Sequence, residues 1–299
     1  MHWRVKALVQ GVFSRVPYGE GLNYWFQRHV THSLPINAKG LDEIVERAGR
    51  HLAQVRRHLY RPLEDAVFFE FGAGWDLGSP LSFWAQGVRR QVLVDIRDLL
   101  RLDILNHTIG LFSRIATELP RKPAGALASI AELGPRFGID YRAPCDARRT
   151  GLPARSLDCV TSSETLEHIP PDDIRAILIE CRRCLREDGV MSFFIDYQDH
   201  YSFFDGNISA YNFLRYSEPI WSLYNPSLHY QNRLRHKDYL RLFDETGFDV
   251  VEEHRRPVSA EDLALVSRLP LDTRFRVYSP DELAIKEAML VLRPRGGAA

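Results

Sequence analysis

Glu70, Gly72, Ala73 and Gly74 close the stretch VFFEFGAG, and Asp95 follows 25 residues after Glu70, at the end of QVLVDI. A strand running into Gly-x-Gly brings backbone amides and a helix N-terminus up to a ligand. An acid at the end of the following strand can accept from both hydroxyls of a ribose. With Ile96 beside Asp95, this set reads as an adenosine site. It leaves a dinucleotide and S-adenosylmethionine (SAM) both open. Where a dinucleotide fingerprint would place its third glycine there is Asp76. A carboxylate facing a pyrophosphate repels it, whereas SAM carries no phosphate.

A second cluster lies in SSETLEHI. Glu164, Glu167 and His168 are spaced i, i+3, i+4, which on a helix puts them on one face. Two carboxylates and an imidazole there could ligate a divalent ion, with His229 or His236 as a further ligand. The other reading has Glu164 capping the helix and His168 packed or acting as a base. For a reaction that must remove a proton, the candidate bases are His168, Asp199 and His200, the last two just beyond the strand VMSFFID.

The elements that must position these residues alternate between strand and helix. Strands are expected at 66–71, 91–96, 139–145, 157–163, 190–196, 249–255 and 287–294. Helices are expected at 41–59, 81–90, 97–118, 125–134, 172–187 and 236–248. This is the pattern of an α/β, Rossmann-like, doubly wound and mostly parallel sheet. Ligands bind such sheets at the carboxyl ends of the strands. Residues 1–60 read as an N-terminal helical extension and 61–299 as the main domain. Residues 197–231 hold ten Phe, Tyr and Trp side chains, which marks an aromatic-rich cap insertion at about 197–235. Residues 256–286 read as a surface connection. In the first helix Val5, Leu8, Val9, Val12, Phe13 and Val16 recur at helical spacing, and this stripe is expected to pack on the body. The alternative is a basic helix lying on a membrane surface.

The stretch CDARRTGLPARSLDCVTSSETLEHI resembles the class I SAM-dependent methyltransferases of the "type 11" group. The matching features are Asp146-Ala147, Leu152-Pro153, Ser156–Val160 and Leu166-Glu167-His168, with Glu70–Gly74 as the first motif and LREDGVMSFFI as the entry to the fifth strand. The resemblance implies an antiparallel last strand. It also implies that Asp146 accepts from the adenine amino group, that the Ala147 amide meets a ring nitrogen, and that Ser162 and Ser163 lie by the methionine end. Glu-x-x-Glu-His is similar to the pattern in ubiquinone-pathway O-methyltransferases, where it holds a magnesium-type ion, so Mg2+ is a possible second cofactor. Asp76 and the long segment between Asp95 and Asp146 depart from the family's pattern.

The bulk composition narrows the partners. There are 39 basic and 39 acidic residues, which gives no electrostatic case for nucleic acid. No apolar run approaches the length of a membrane span. Four cysteines without a disulfide spacing suit a reducing cytoplasm, and Cys181-x-x-Cys184 falls within a helix. The expectation is a cytoplasmic biosynthetic enzyme. It would O-methylate a sugar, glycan or secondary-metabolite acceptor by in-line displacement, with an NAD-dependent oxidoreductase as the alternative. The oligomeric state is open.

Overall fold

The computed structural model describes residues 2–296. Helices α1 (Trp3–Phe13), α2 (Gly19–His29) and α3 (Ala38–His58) lead into β1 (Val67–Phe71), α4 (Gly78–Ala85), β2 (Arg90–Val94), α5 (Leu102–Leu111), α6 (Leu133–Phe137) and β3 (Ile139–Arg142). Then come β4 (Leu157–Ser163), α7 (Pro171–Cys184), β5 (Leu185–Asp196), α8 (Glu218–Ser222), α9 (His236–Glu245), β6 (Phe248–Arg255), α10 (Ala260–Arg268), α11 (Pro280–Ala284) and β7 (Glu287–Pro294). The seven strands form one sheet in the order β3-β2-β1-β4-β5-β7-β6. β7 runs antiparallel between β5 and β6, and the other neighbouring pairs are parallel.

The central strands are apolar on both faces, as buried parallel strands must be. One face packs Phe68, Cys159, Val190 and Val291 under Leu52 and Val55 of α3 and Phe83 of α4. The opposite face packs Phe69, Val160, Phe193 and Leu290 against Ile177 and Cys181 of α7 and Phe243 of α9. Cys181 and Cys184 are thus buried helix-face thiols.

Four expectations are corrected. Between Asp95 and Ile139 the helix is shorter than expected, Leu102–Leu111, and 125–134 is mostly irregular. Residues 256–286 are no surface connection. Val266, Phe275 and Leu283 bury themselves in the core of the cap with Tyr201, Tyr211, Phe213 and Trp221. Fully buried Arg235 ties the two segments together by donating to the carbonyls of Tyr197, Leu283 and Ile285 at 2.7–2.8 Å. The apolar stripe of α1 does not pack on the body either: the buried residues of this helix are Trp3, Lys6, Ala7 and Gln10, and Val5, Leu8 and Val12 are exposed. Finally, SSETLEHI is not helical as a unit. Glu164 has φ +51° just past β4, Leu166–His168 form one 3-10 turn, and α7 begins only at Pro171. Proline at a first helical position sets that start.

Candidate active site

The carboxyl ends of β1, β2 and β4, together with the cap, enclose a pocket of about 610 Å³. Its floor is the glycine turn. Gly72 and Gly74 have φ of +79° and +72°, the left-handed region that glycine enters without cost. At Gly72 a Cβ would come within 2.8 Å of Thr165 Oγ1, so the turn passes the end of β4 too closely for a side chain. Asp95, nearly buried, accepts the Gly74 N–H with Oδ2 and the Arg97 N–H with Oδ1, each at 3.0 Å. The acid and the glycine turn are therefore locked together. Asp95, Ile96, Gly72, Gly74, Asp146 and Ala147 all line the pocket.

Glu70 does not reach it. The carboxyl lies beneath the turn, accepts from Thr161 Oγ1 at 3.2 Å, and is pushed up to about 8 by burial. Ala73 is buried away from the lining. Asp146 is gripped by Arg148, through its backbone N–H at 2.9 Å and its guanidinium at 2.8 Å, and the guanidinium holds the carboxyl below its usual range. Asp76 turns out to cap α4, accepting the Gly78 N–H at 2.9 Å, and burial raises its pKa. It does not face the pocket, so its charge says nothing about a phosphate there. Trp75 lines the pocket and stacks on Tyr24 of α2, with centroids 5.3 Å apart.

Ser162 and Ser163 are corrected as well. Ser162 is buried in β4, and Ser163 Oγ bonds His51 Nε2 at 3.0 Å on the α3 side of the sheet. His51 Nδ1 bonds Ser192 Oγ at 2.7 Å. Burial first, then the charges of Arg47 and Arg50, push this imidazole down to about 3.

Over the far side of the pocket stand three imidazoles. His168 and His200 meet edge to face with centroids 4.8 Å apart, and His229 lies 6.4 Å from His200. His168 Nδ1 lies 2.7 Å from the Tyr230 carbonyl oxygen. That oxygen can only accept, so Nδ1 carries the proton and Nε2 keeps its lone pair. Burial, and secondly His200, lower His168 to about 4, so it is neutral at ordinary pH. His200 sits on a 3-10 turn after β5, with Nε2 3.4 Å from Asp196 Oδ2 but not hydrogen-bonded to it. Burial lowers His229 further, and its Nε2 has no partner among the described residues.

Asp199 faces away. Its oxygens accept from the Tyr201 N–H at 2.9 Å and from Asn212 Nδ2 at 3.0 Å, and burial raises it to about 6. It holds the cap; the acid near His200 is Asp196, which sequence reading passed over although it closes the strand VMSFFID. The metal expectation is redrawn too. Glu164 is paired with Arg47, and His229 stands outside the group of donors that approach one another. His236 bonds Tyr197 and Glu253. The group that does converge is Glu167, His168 and His200, with donor atoms within 4.8 Å. Glu167 is buried, neither carboxylate oxygen has a partner, and burial followed by the Asp196 charge raises its pKa.

A family described as "Methyltransferase domain" matches residues 124–193, from the approach to β3 through most of β5. Over that segment the chain is similar to a methyltransferase domain. The pocket suits SAM. Buried Asp95 offers a carboxylate to a hydroxyl-bearing ligand, and the glycine turn leaves space, since a Cβ at Gly74 would meet nothing within 4 Å. Among curated proteins no sequence match is found. In shape the chain is similar to geranyl diphosphate C-methyltransferase from Streptomyces coelicolor, at 13% identity and a TM-score of 0.47, over 81% of this chain and 77% of that one. A putative methyltransferase in complex with the Trm112 activator of Haloferax volcanii matches at 13% identity and 0.47, over 93% and 97%. No helix among the described residues is long and apolar enough to cross a membrane.

Proposed function

We propose that the enzyme methylates a hydroxyl of a small acceptor, a sugar, glycan or secondary metabolite, with His168 taking the proton. The observation that carries this reading is the fixed tautomer of His168, which leaves a neutral Nε2 lone pair beside the pocket. When bound, SAM supplies an electrophilic methyl on its sulfonium. Asp95 and the turn at Gly72 and Gly74 would hold its adenosine and methionine portions. Phe203, Phe204 and Tyr230, which line the cap side, would flank the acceptor and exclude water. His168 Nε2 then accepts the hydroxyl proton as the oxygen is methylated. The neutral charge balance supports a small acceptor over nucleic acid, and four unpaired cysteines support a cytoplasmic setting.

The test couples SAM calorimetry to a screen of sugars and phenols, read as S-adenosylhomocysteine formation. His168→Gln should bind SAM as the wild type does and lose at least a hundredfold in turnover. Turnover within fivefold of wild type removes His168 as the base. Absence of SAM binding at millimolar ligand removes the reading altogether.

The convergence of Glu167, His168 and His200 favours a second, metal-assisted reading. Three donors with free lone pairs fit a divalent cation, and two imidazoles suit a transition ion better than Mg2+. His168 Nε2 has one lone pair, so the two readings exclude each other. A bound cation would polarise the acceptor hydroxyl.

A further inference from the structure

We infer that the outward face of α1 and α2 docks the enzyme on an anionic lipid surface. Helix α1 is apolar on two opposite sides. Trp3, Ala7 and the stem of Lys6 pack inward on the cap, Trp3 against Tyr224 at 4.9 Å and Lys6 over the Phe204 ring at 2.6 Å. On the other side Val5, Leu8 and Val12 are 51%, 69% and 51% exposed. At 100° per residue these three span an arc of about 60°, pointing away from the packed face. Arg4 and Arg15 fall along the edge of that arc.

α2 also exposes apolar side chains. Phe26 turns in and meets Phe13 of α1 edge to face, centroids 5.9 Å apart. Leu22 and Trp25 face out at 42% and 55% exposure, and Tyr18 in the connecting turn is almost fully exposed. A soluble surface tolerates single exposed apolar residues, but two adjoining helices expose these six between them and their connecting turn. The unpaired charges along the edge of this face are basic. Of the four basic side chains in the first 32 residues, Lys6 turns inward and Arg28 pairs with Asp103, which leaves Arg4 and Arg15 beside the stripe. The one acid there, Glu20, is paired with Arg97. An apolar stripe bordered by Arg and bearing Trp and Tyr matches a helix pair lying in the headgroup region of an anionic bilayer.

The helix pair also backs the pocket wall from outside. α1 rests on Ser227–His229 and Phe204, and Tyr24 of α2 stacks on Trp75, all of which line the pocket. An acceptor that partitions into lipid would therefore meet the pocket next to the surface that holds it.

The test is co-sedimentation of the full chain with vesicles of phosphatidylcholine containing phosphatidylglycerol, and with phosphatidylcholine alone. Binding to the anionic vesicles, weakened by salt and at least tenfold weaker for the double variant Leu8→Glu, Val12→Glu, is the expected result. Both residues are exposed, and unchanged SAM binding by the variant shows that it is folded. Absence of binding to anionic vesicles overturns the inference, as does equal binding by the variant. A concentration-dependent dimer that the double variant dissociates, without vesicle binding, assigns the face to a second copy and also overturns it. None of these outcomes bears on His168.

Discussion

The link between Asp95 and the glycine turn gives the sharpest prediction. Replacing Asp95 by Asn keeps the shape and removes one acceptor. Both carboxylate oxygens are in use, Oδ2 by the Gly74 N–H and Oδ1 by the Arg97 N–H. An amide can keep one of these bonds; its NH2 must then face the other N–H, donor against donor. The loss of one hydrogen bond to a charged group is worth about 1.5–3 kcal/mol. The same group is the one placed to accept from the ribose, and with the amide facing the turn one acceptor for the ribose hydroxyls is gone, a loss felt only in the bound state. The expected effect is a Kd for SAM raised roughly 10- to 150-fold. Isothermal calorimetry with SAM and with S-adenosylhomocysteine measures it, and circular dichroism confirms folding. A folded Asp95→Asn variant with a Kd within threefold of wild type would refute both the ribose assignment and the claim that the turn depends on this carboxylate.

Gly72→Ala should cost about 2 kcal/mol in urea unfolding, because alanine is strained at φ +79° and its Cβ would crowd Thr165; adding Thr165→Ala should restore part of the loss. His51 supplies a pH signature. Its folded pKa, about 3, lies well below its unfolded value of roughly 6.5, so the unfolded chain takes up the proton first and stability falls as pH drops below that value. Between pH 7.5 and 5 the wild type should lose about 2 kcal/mol more than His51→Gln, a figure set by the unfolded pKa alone once the folded one is below 5. Parallel stability curves for the two proteins would count against a neutral buried His51. Chelator treatment followed by metal add-back, read on turnover, separates the two catalytic readings: activity lost with chelator, restored by a transition ion and abolished in Glu167→Gln supports the metal, and activity indifferent to chelator supports His168 as base.

Much of the architecture was legible because buried parallel strands are written as unbroken apolar runs. VFFEF, LDCVTSS and VMSFFID each read correctly for that reason, and EAMLVLRP was placed to the residue. What failed were inferences that needed a partner. Periodicity shows that α1 has an apolar stripe but not which of its two apolar sides is covered; Trp3 decided that by joining the aromatic cap. The helix drawn through Glu164–His168 was avoidable, since Pro170-Pro171 announces a helix start and disfavours helical backbone just before it. That misplacement sent Glu164 into the metal group and left His200 out of it, though His200 had already been singled out as a base. Asp199 and Asp196 differ by three residues on a turn after the strand, and nothing local says which one points at the site. Asp76 misled in another way: its charge was read as facing a ligand, when a short helix beside it had an open N–H to satisfy.

The cap has a further consequence for exchange of ligands. Its core is fed by three separate stretches of chain, α1, the aromatic insertion and the segment carrying α10 and α11, and Arg235 cross-braces two of them. A lid on one hinge can swing as a unit; a roof pinned along three walls cannot. That bracing favours exchange through rotamer changes of rim side chains such as Phe203, which is 58% exposed, over opening of the cap as a unit.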